Sequence, residues 1–475
     1  MILKFSCTKK LTINPHTEQS LLELEEKYCS YGDTVHYLEK PKIFKECKGS
    51  FLYDYDGKPF LDLQMWYSAC NLGYSNQRIN NNLKQQINTL PQVTSEYLHP
   101  TKIELAATIA QDIEQKYGEK GRVHFNVGGS QAVEDSLKLV RNATGGKSLM
   151  FAFEGGYHGR TLGASAITSS YRYRRRYGHF AERAQFIPFP YCFRCPYGKK
   201  REDCELYCVE QFDRLFETEY YGVWDGKAGE SEYAAFYLEM VQGTGGYVIP
   251  PQGYFERLQE ILEARKILII DDEIQMGIYR TGKLWAIENF GIRPDVIIFG
   301  KALTNGMNPL SGIWAKEELI NPEVFPPGST HSTFASNPLG TALGLETLKI
   351  LKEDDYETIT REKGAYFLEG IKELKRRHKI IGDVDGLGMA LRIEICSAED
   401  SFTPDREMMD RITNEGMKGD LEYQGKKYGL ILDIGGYYKN VITLAPAFTI
   451  SYEEIDMAIS FLDQLFIRCS RRSFV

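Results

Sequence analysis

IIDDEIQMG at 269–277 and FGKAL at 299–303 decide how this chain folds. Each is an apolar run of strand length that ends in charged residues, an acidic cluster in the first and Lys301 in the second. In a parallel sheet, side chains just past the carboxyl ends of strands line the ligand crevice. Outward from these two runs, β-rich stretches (SLMFAF, AAFYLEM, ILIID, DVIIFG) alternate with amphipathic helices (LKQQI, AVEDSLKLVRNA, YFERLQEILEAR) between about Ile79 and Gly340. That alternation predicts an α/β domain built on a mostly parallel sheet. Upstream, TEQSLLELEEKY reads as a polar helix, and FLYDYDGKPFLDL as a hairpin turning at Asp56-Gly57. Beyond Pro338, two long helical stretches, then IIGDVDGLGMALRIEI, VITLAPAFTI and a last amphipathic helix predict a smaller α+β domain. The expected division is an arm and hairpin over 1–78 that pack with the small domain, a large domain over 79–340, and the small domain over 341–475.

Composition bounds the partners. The chain has 475 residues, 43% apolar and 26% charged, the balance of an ordinary globular protein. A formal charge of −8 gives no electrostatic reason to expect nucleic acid. The local run Arg172, Arg174, Arg175 and Arg176, interleaved with tyrosines, reads as a solvated or anion-facing loop. No apolar stretch reaches bilayer length, so no membrane partner is expected. The start, MILKFSCTKKLTINP, lacks a signal-peptide core, which makes the cytoplasm the default location. Ten cysteines in a chain this long do not suggest a disulfide scaffold.

A carboxylate at one strand end and a lysine at the next is the arrangement that pyridoxal phosphate requires. The lysine amine condenses with the cofactor aldehyde as a Schiff base, and the carboxylate keeps the pyridine nitrogen protonated so that the ring accepts electrons. Asp272 and Lys301 fill those roles. Taken alone, each is an ordinary strand-end cap. NVGGSQAVEDSLKLVR at 126–141 adds a Gly-Gly-Ser turn opening an amphipathic helix, where backbone N–H groups and the helix dipole suit a phosphate. Its candidates are Gly128, Gly129 and Ser130; the bland alternative is a plain capped helix. FEGGYHGRT at 153–161 offers Tyr157 beside His158, with Tyr157 placed to stack on a cofactor ring.

In order and approximate spacing these segments resemble the class III aminotransferases, the group of 4-aminobutyrate, ornithine and acetylornithine aminotransferases, from about Phe51 to Ile450. GGSQAVE is similar to the family's phosphate turn. Tyr157-His158-Gly159-Arg160-Thr161 matches its aromatic-His-Gly-Arg-Thr segment, and Asp272-Glu273-Ile274-Gln275 its Asp-Glu-x-Gln. The family's Gly-Arg-Thr-Gly appears as Tyr279-Arg280-Thr281-Gly282, and its lysine segment as Gly300-Lys301-Ala302. STFASNP at 332–338 is similar to the loop whose threonine, here Thr333, reaches the partner subunit's phosphate. The resemblance implies the fold type I of pyridoxal-phosphate enzymes and a homodimer with shared active sites. It adds Gln275, Glu239 and His158 to the cofactor contacts, and Trp66 and Tyr67 to the pocket wall. The implied activity is transfer of an amino group between an amine or amino acid and a keto acid or aldehyde, with Lys301 moving the proton. The alternative reading is a racemase or epimerase, or a lyase, of the same family.

Two departures bear on substrate. Where many 2-oxoglutarate-using members carry an arginine for the substrate carboxylate, GGYYKNVITLAP has Thr443, and where a glutamate commonly gates that arginine, VQGTGG has Thr244. Either charge alone would sit buried and uncompensated at about 3–5 kcal/mol, so joint loss is coherent. Arg392 and Arg160 are the candidates to replace the missing arginine; without one, 2-oxoglutarate is expected to be a poor acceptor. The second departure is the insert YCFRCPYGKKREDCELYC at 191–208, whose Cys192, Cys195, Cys204 and Cys208 have a spacing suited to a structural zinc or to paired disulfides.

Overall fold

A computed structural model of the chain describes residues 16–30, 32, 41–177 and 183–471. The sheet that organises it has seven strands: β4 (Gly121–Asn126), β5 (Leu149–Phe153), β6 (Arg183–Ile187), β7 (Tyr233–Leu238), β8 (Leu268–Asp272), β9 (Val296–Phe299) and β10 (Ser311–Lys316). Their order across the sheet is β4-β10-β9-β8-β7-β5-β6. All neighbours are parallel except β10, which runs antiparallel to both β4 and β9. The central strands read VIIF, LIIDD and YAAFYL, and they are buried almost throughout. Covered faces on both sides are what allow continuous apolar runs in place of alternation. Helix Gly129–Ala143 packs over β9 and β10, and its apolar stripe of Ala132, Val133, Leu137 and Val140 is fully covered.

Two smaller sheets complete the molecule. One has β11 (Ile381–Leu387), β12 (Ala390–Ile395), β15 (Asp433–Gly435) and β16 (Val441–Leu444), in the order β11-β12-β16-β15 and antiparallel. The other joins the two ends of the chain, with β1 (Phe44–Lys48) at one edge and β13 (Leu421–Tyr423) at the other. The hairpin of β2 (Phe51–Asp54) and β3 (Pro59–Asp62) turns at Asp56-Gly57 as expected, and β3 lies parallel to β14 (Lys426–Ile431), with Phe60 opposite Gly429. Helices Pro338–Glu353 and Tyr356–Arg377 run between the large sheet and the small ones. No helix of the described residues is long and apolar enough to cross a membrane.

One stretch departs from every regular pattern. Met65, Trp66, Tyr67 and Ser68 are consecutive and all left-handed, with φ of 43°, 54°, 56° and 66°. L-residues in that region cost roughly 1–2 kcal/mol each. Burial of Met65 and Ser68, and two hydrogen bonds that the N–H groups of Gln64 and Met65 donate to Asp62 Oδ1, hold the turn in place.

Candidate active site

The ends of β8 and β9 form the floor of a cavity of about 380 Å3. Lys301 lies two residues past β9, in a tight turn over Lys301–Thr304 that its own positive φ of 43° opens. Burial brings its ammonium from the ordinary 10.5 down to about 8, although the charges of Asp272, Glu239 and Asp433 pull the other way. An amine so depressed is a usable nucleophile and base near neutral pH. Asp272, the last residue of β8, is buried beneath the cavity, its Oδ2 2.8 Å from His158 Nδ1 and its Oδ1 accepting from Ile274 N–H. Burial disfavours the charged imidazole, but the hydrogen bond and charge of Asp272 prevail and raise the His158 pKa. Glu239 accepts from the N–H groups of Tyr157 and Gly243, and burial raises its carboxyl to about 7.

Several expected residues therefore converge. Lys301, Tyr157, Arg160, Gln275, Thr244 and Tyr67 line the cavity; Asp272, His158 and Glu239 brace it from behind. Gly128, Gly129 and Ser130 open their helix with no side-chain cap, leaving backbone N–H groups available to an anion. Ser130 Oγ instead accepts from Arg160 N–H at 3.2 Å, which ties that helix end to the cavity wall. Gly159 permits the approach, because a Cβ there would lie 2.3 Å from Ser130 Oγ. A base-positioned lysine, a buried carboxylate and an uncapped helix end fit the donor set of pyridoxal phosphate.

Other expectations are corrected. Trp66 does not line the cavity; it is 57% exposed and packs beside Gly306. Thr443 is buried and gives its hydroxyl to Asp433 Oδ2, so it stands behind the wall. Arg392 is not a replacement arginine. Its guanidinium is fully buried on β12, paired with Glu394 and the Tyr191 hydroxyl, with Asp383 3.9 Å away. Thr333 is exposed and lines a separate groove of about 710 Å3, beside Phe334 and Val127, the residue just before the Gly128 turn.

The insert is corrected too. Cys192, Cys195, Cys204 and Cys208 surround one cavity of about 20 Å3, yet all four are free thiols. No group of three or more His, Cys, Asp or Glu side chains among the described residues is placed to hold a metal ion, so the zinc expectation is not met. Burial pushes the Cys208 thiol up to about 12 and also raises Cys192. The insert docks through Arg194, which pairs with Glu394 and donates to Phe402 O at 2.5 Å, and through Phe193 against Phe402.

Two charged lining residues had no signal in the sequence, and a third residue belongs to the run read there as a solvated or anion-facing loop. Tyr173 comes from the Arg172–Arg176 loop and packs edge-on against Tyr157 with Arg160 over its ring. Asp433 and Lys439 come from the far side of the small sheet. Only the pairing of β15 with β16 brings them over Lys301, and nothing near either residue in the chain announces it.

A family model described as aminotransferase class III matches residues 35–466. The chain is 32% identical over 461 residues to an alanine/serine racemase of Pyrococcus horikoshii, covering 96% of this chain and 92% of the relative. It is 28% identical to a diaminobutyrate–2-oxoglutarate aminotransferase of Rhizobium meliloti, covering 91% and 89%. Among solved structures, an amine transaminase from an uncultivated Pseudomonas species in its pyridoxal-phosphate-bound form superposes with a TM-score of 0.81 at 25% identity, covering 91% of this chain and 96% of that one.

Proposed function

The chain is a member of the class III aminotransferase family, a pyridoxal-phosphate enzyme of fold type I, and we propose that it transfers amino groups as a homodimer to acceptors bearing one carboxylate or none. The carrying observation is Lys301, lowered to about 8 in the same cavity as Arg160 and directly above Asp272. The cofactor supplies an electron sink for the bond broken at the substrate's nitrogen-bearing carbon. Lys301 Nζ would hold the cofactor at rest, and once free would take the proton from that carbon and return it on the cofactor side. Asp272 would hold the ring nitrogen, with His158 fixing its oxygen, and Gly128, Gly129 and Ser130 would hold the phosphate. Tyr157 would cover the ring, Gln275 would serve its hydroxyl side, and Tyr67 would close the substrate end.

Arg160 stands in the cavity without an ion pair among the described residues, its guanidinium over the rings of Tyr157 and Tyr173. It is the group to receive a substrate carboxylate. A second carboxylate on the acceptor would meet Lys439 together with Asp433, whose like charge offsets the attraction. Homodimer formation is supported by the Thr333 groove, which opens beside the phosphate turn, and by Trp66, Leu98 and Phe334, which are 57%, 75% and 70% exposed. The division at residues 78 and 340 is likewise supported by the sheets, since the large sheet lies wholly between Gly121 and Lys316.

The test is a half-reaction. Amines and amino acids convert the holoenzyme to its pyridoxamine form, and pyruvate or small aldehydes return it faster than 2-oxoglutarate does. Borohydride places the cofactor on Lys301; a label on any other residue defeats the assignment, and a fully active monomer defeats the shared site. The 32% identity to a racemase favours one second reading, in which the proton returns to the same carbon. Loss of optical activity with solvent deuterium uptake, and no amino acceptor required, selects it.

A further inference from the structure

Asp433 is the one acidic side chain among the described residues lining the Lys301 cavity, and transamination gives it no task. It opens β15, directly across from Thr443 on β16. Its Oδ2 accepts from Thr443 Oγ1 at 2.8 Å, and its Oδ1 from Gln64 Nε2 at 3.2 Å. Both donors are neutral. Among the described residues neither oxygen has a cationic partner within 4 Å, although Lys301 and Lys439 are close enough to act on it through space. A carboxylate offers about four acceptor positions, and the Ile434 N–H joins Thr443 and Gln64 in filling them, which leaves capacity for one further donor.

The carboxylate is thus held in place from two sides, on a strand and not on a loop tip, and left with capacity facing the substrate space. Withdrawing a carboxylate from water without a counter-charge is costly, and here burial raises its pKa. The chain does not supply the missing charge by contact. Thr443 and Gln64 orient the group but do not neutralise it.

We infer that Asp433 is a specificity-determining residue that receives a second ammonium group of the amino donor, so that the donor class is a diamine or a diamino acid. The inference rests on the transaminase reading for calling this ligand a donor; the subsite itself does not need that reading. One amino group would replace the Lys301 amine on the cofactor, freeing that amine, while the other meets Asp433, and a carboxylate on the same donor has Arg160. Discrimination comes from the second charge: a donor lacking it leaves half-buried Asp433 with neutral hydrogen-bond partners only.

Binding is measured first, on holoenzyme reduced with borohydride so that no chemistry follows. Calorimetry compares 1,4-diaminobutane with 1-aminobutane and ornithine with norvaline, pairs that differ in the second amine. The wild-type protein binds the diamino member of each pair about tenfold or more tightly, the scale of a charge-assisted hydrogen bond. Asp433→Asn brings both ratios to within about threefold. Equal binding of the pairs by wild type overturns the proposal and leaves Asp433 as the counter-charge of Lys439; this arm needs no variant to fold. An unchanged preference in Asp433→Asn overturns it as well. The half-reaction with unreduced enzyme separates the two readings. If the binding preference is present but no amine yields the pyridoxamine form, transamination fails and the ammonium subsite stands.

Discussion

The floor and the roof of the Lys301 cavity are built by different means. The floor comes from adjacent parallel strands, β8 and β9, and its polar groups are locked to one another: Asp272 to His158, Glu239 to the N–H groups of Tyr157 and Gly243. The roof comes from β15 and the turn after it, where Asp433 has neutral partners only and Lys439 no ion pair among the described residues. Floor and roof touch through Gly436 N–H to Thr244 O at 3.0 Å. A locked floor serves chemistry common to every substrate of the cofactor. An underfilled roof leaves its charges for the substrate to complete.

Lys301→Ala tests the floor most severely. Cofactor should still bind through the phosphate turn and ring contacts, while turnover falls by at least about 10³-fold, within the range for a lost base and nucleophile. Retained turnover would break the comparison at its root. Arg392→Ala comes next and concerns what lies behind the roof. Breaking its buried pair with Glu394 should cost about 3–5 kcal/mol, towards the lower end because Arg194 still faces that glutamate. Denaturant melts measure this, and the acceptor profile of the surviving fold should not move. A changed profile would return Arg392 to the substrate.

The third effect is a pH dependence of the floor. Only the neutral Lys301 amine attacks the cofactor aldehyde, so capture by apoprotein should rise with pH, level off above about 8 and fall about tenfold per unit below it. Stability carries the same sign. The folded value lies below the ordinary 10.5, so the buried ammonium penalises the apoprotein fully below about pH 8, and the penalty fades as pH climbs towards 10.5. Capture that keeps rising to pH 10 would mean an exposed, ordinary lysine. The smallest effect belongs to the roof: Thr443→Val removes one donor from Asp433 and should cost about 1 kcal/mol, with cofactor affinity unchanged.

The same contrast decides what could be read from the chain. The strands ending at Asp272 and Phe299 announce themselves as apolar runs, and charged residues at their ends are local signals. The phosphate turn, the hairpin at Asp56-Gly57 and the helix Gly129–Ala143 were legible for the same reason. Strand β10 escaped notice as an antiparallel member because direction is set by connection, and SGIWAK carries no mark of it. Arg392 looked available because ALRIEI does not say that its own Glu394, two residues on and on the same strand face, turns inward with it, nor that Tyr191, 201 residues away, closes the pair off. The four cysteines had suitable spacing, but spacing does not say whether sulfurs turn towards a common point. Asp433 was invisible because its meaning depends on Thr443 and Gln64, which lie 10 and 369 residues away.

The pairing of β3 with β14 sets the order in which the molecule can be made. Phe60 waits for Gly429, so that sheet cannot close until most of the chain has left the ribosome, about 20–75 s later at ordinary rates of synthesis. Everything the large sheet needs has emerged by Lys316. The parts that seize the cofactor therefore exist as nascent structure well before the parts that choose the substrate. Gln64, which steadies Asp433, is the point where the two schedules meet. Truncated chains ending between residues 330 and 420 would carry a floor without a roof, with hairpin Phe51–Asp62 unpaired on one edge and open to chaperones.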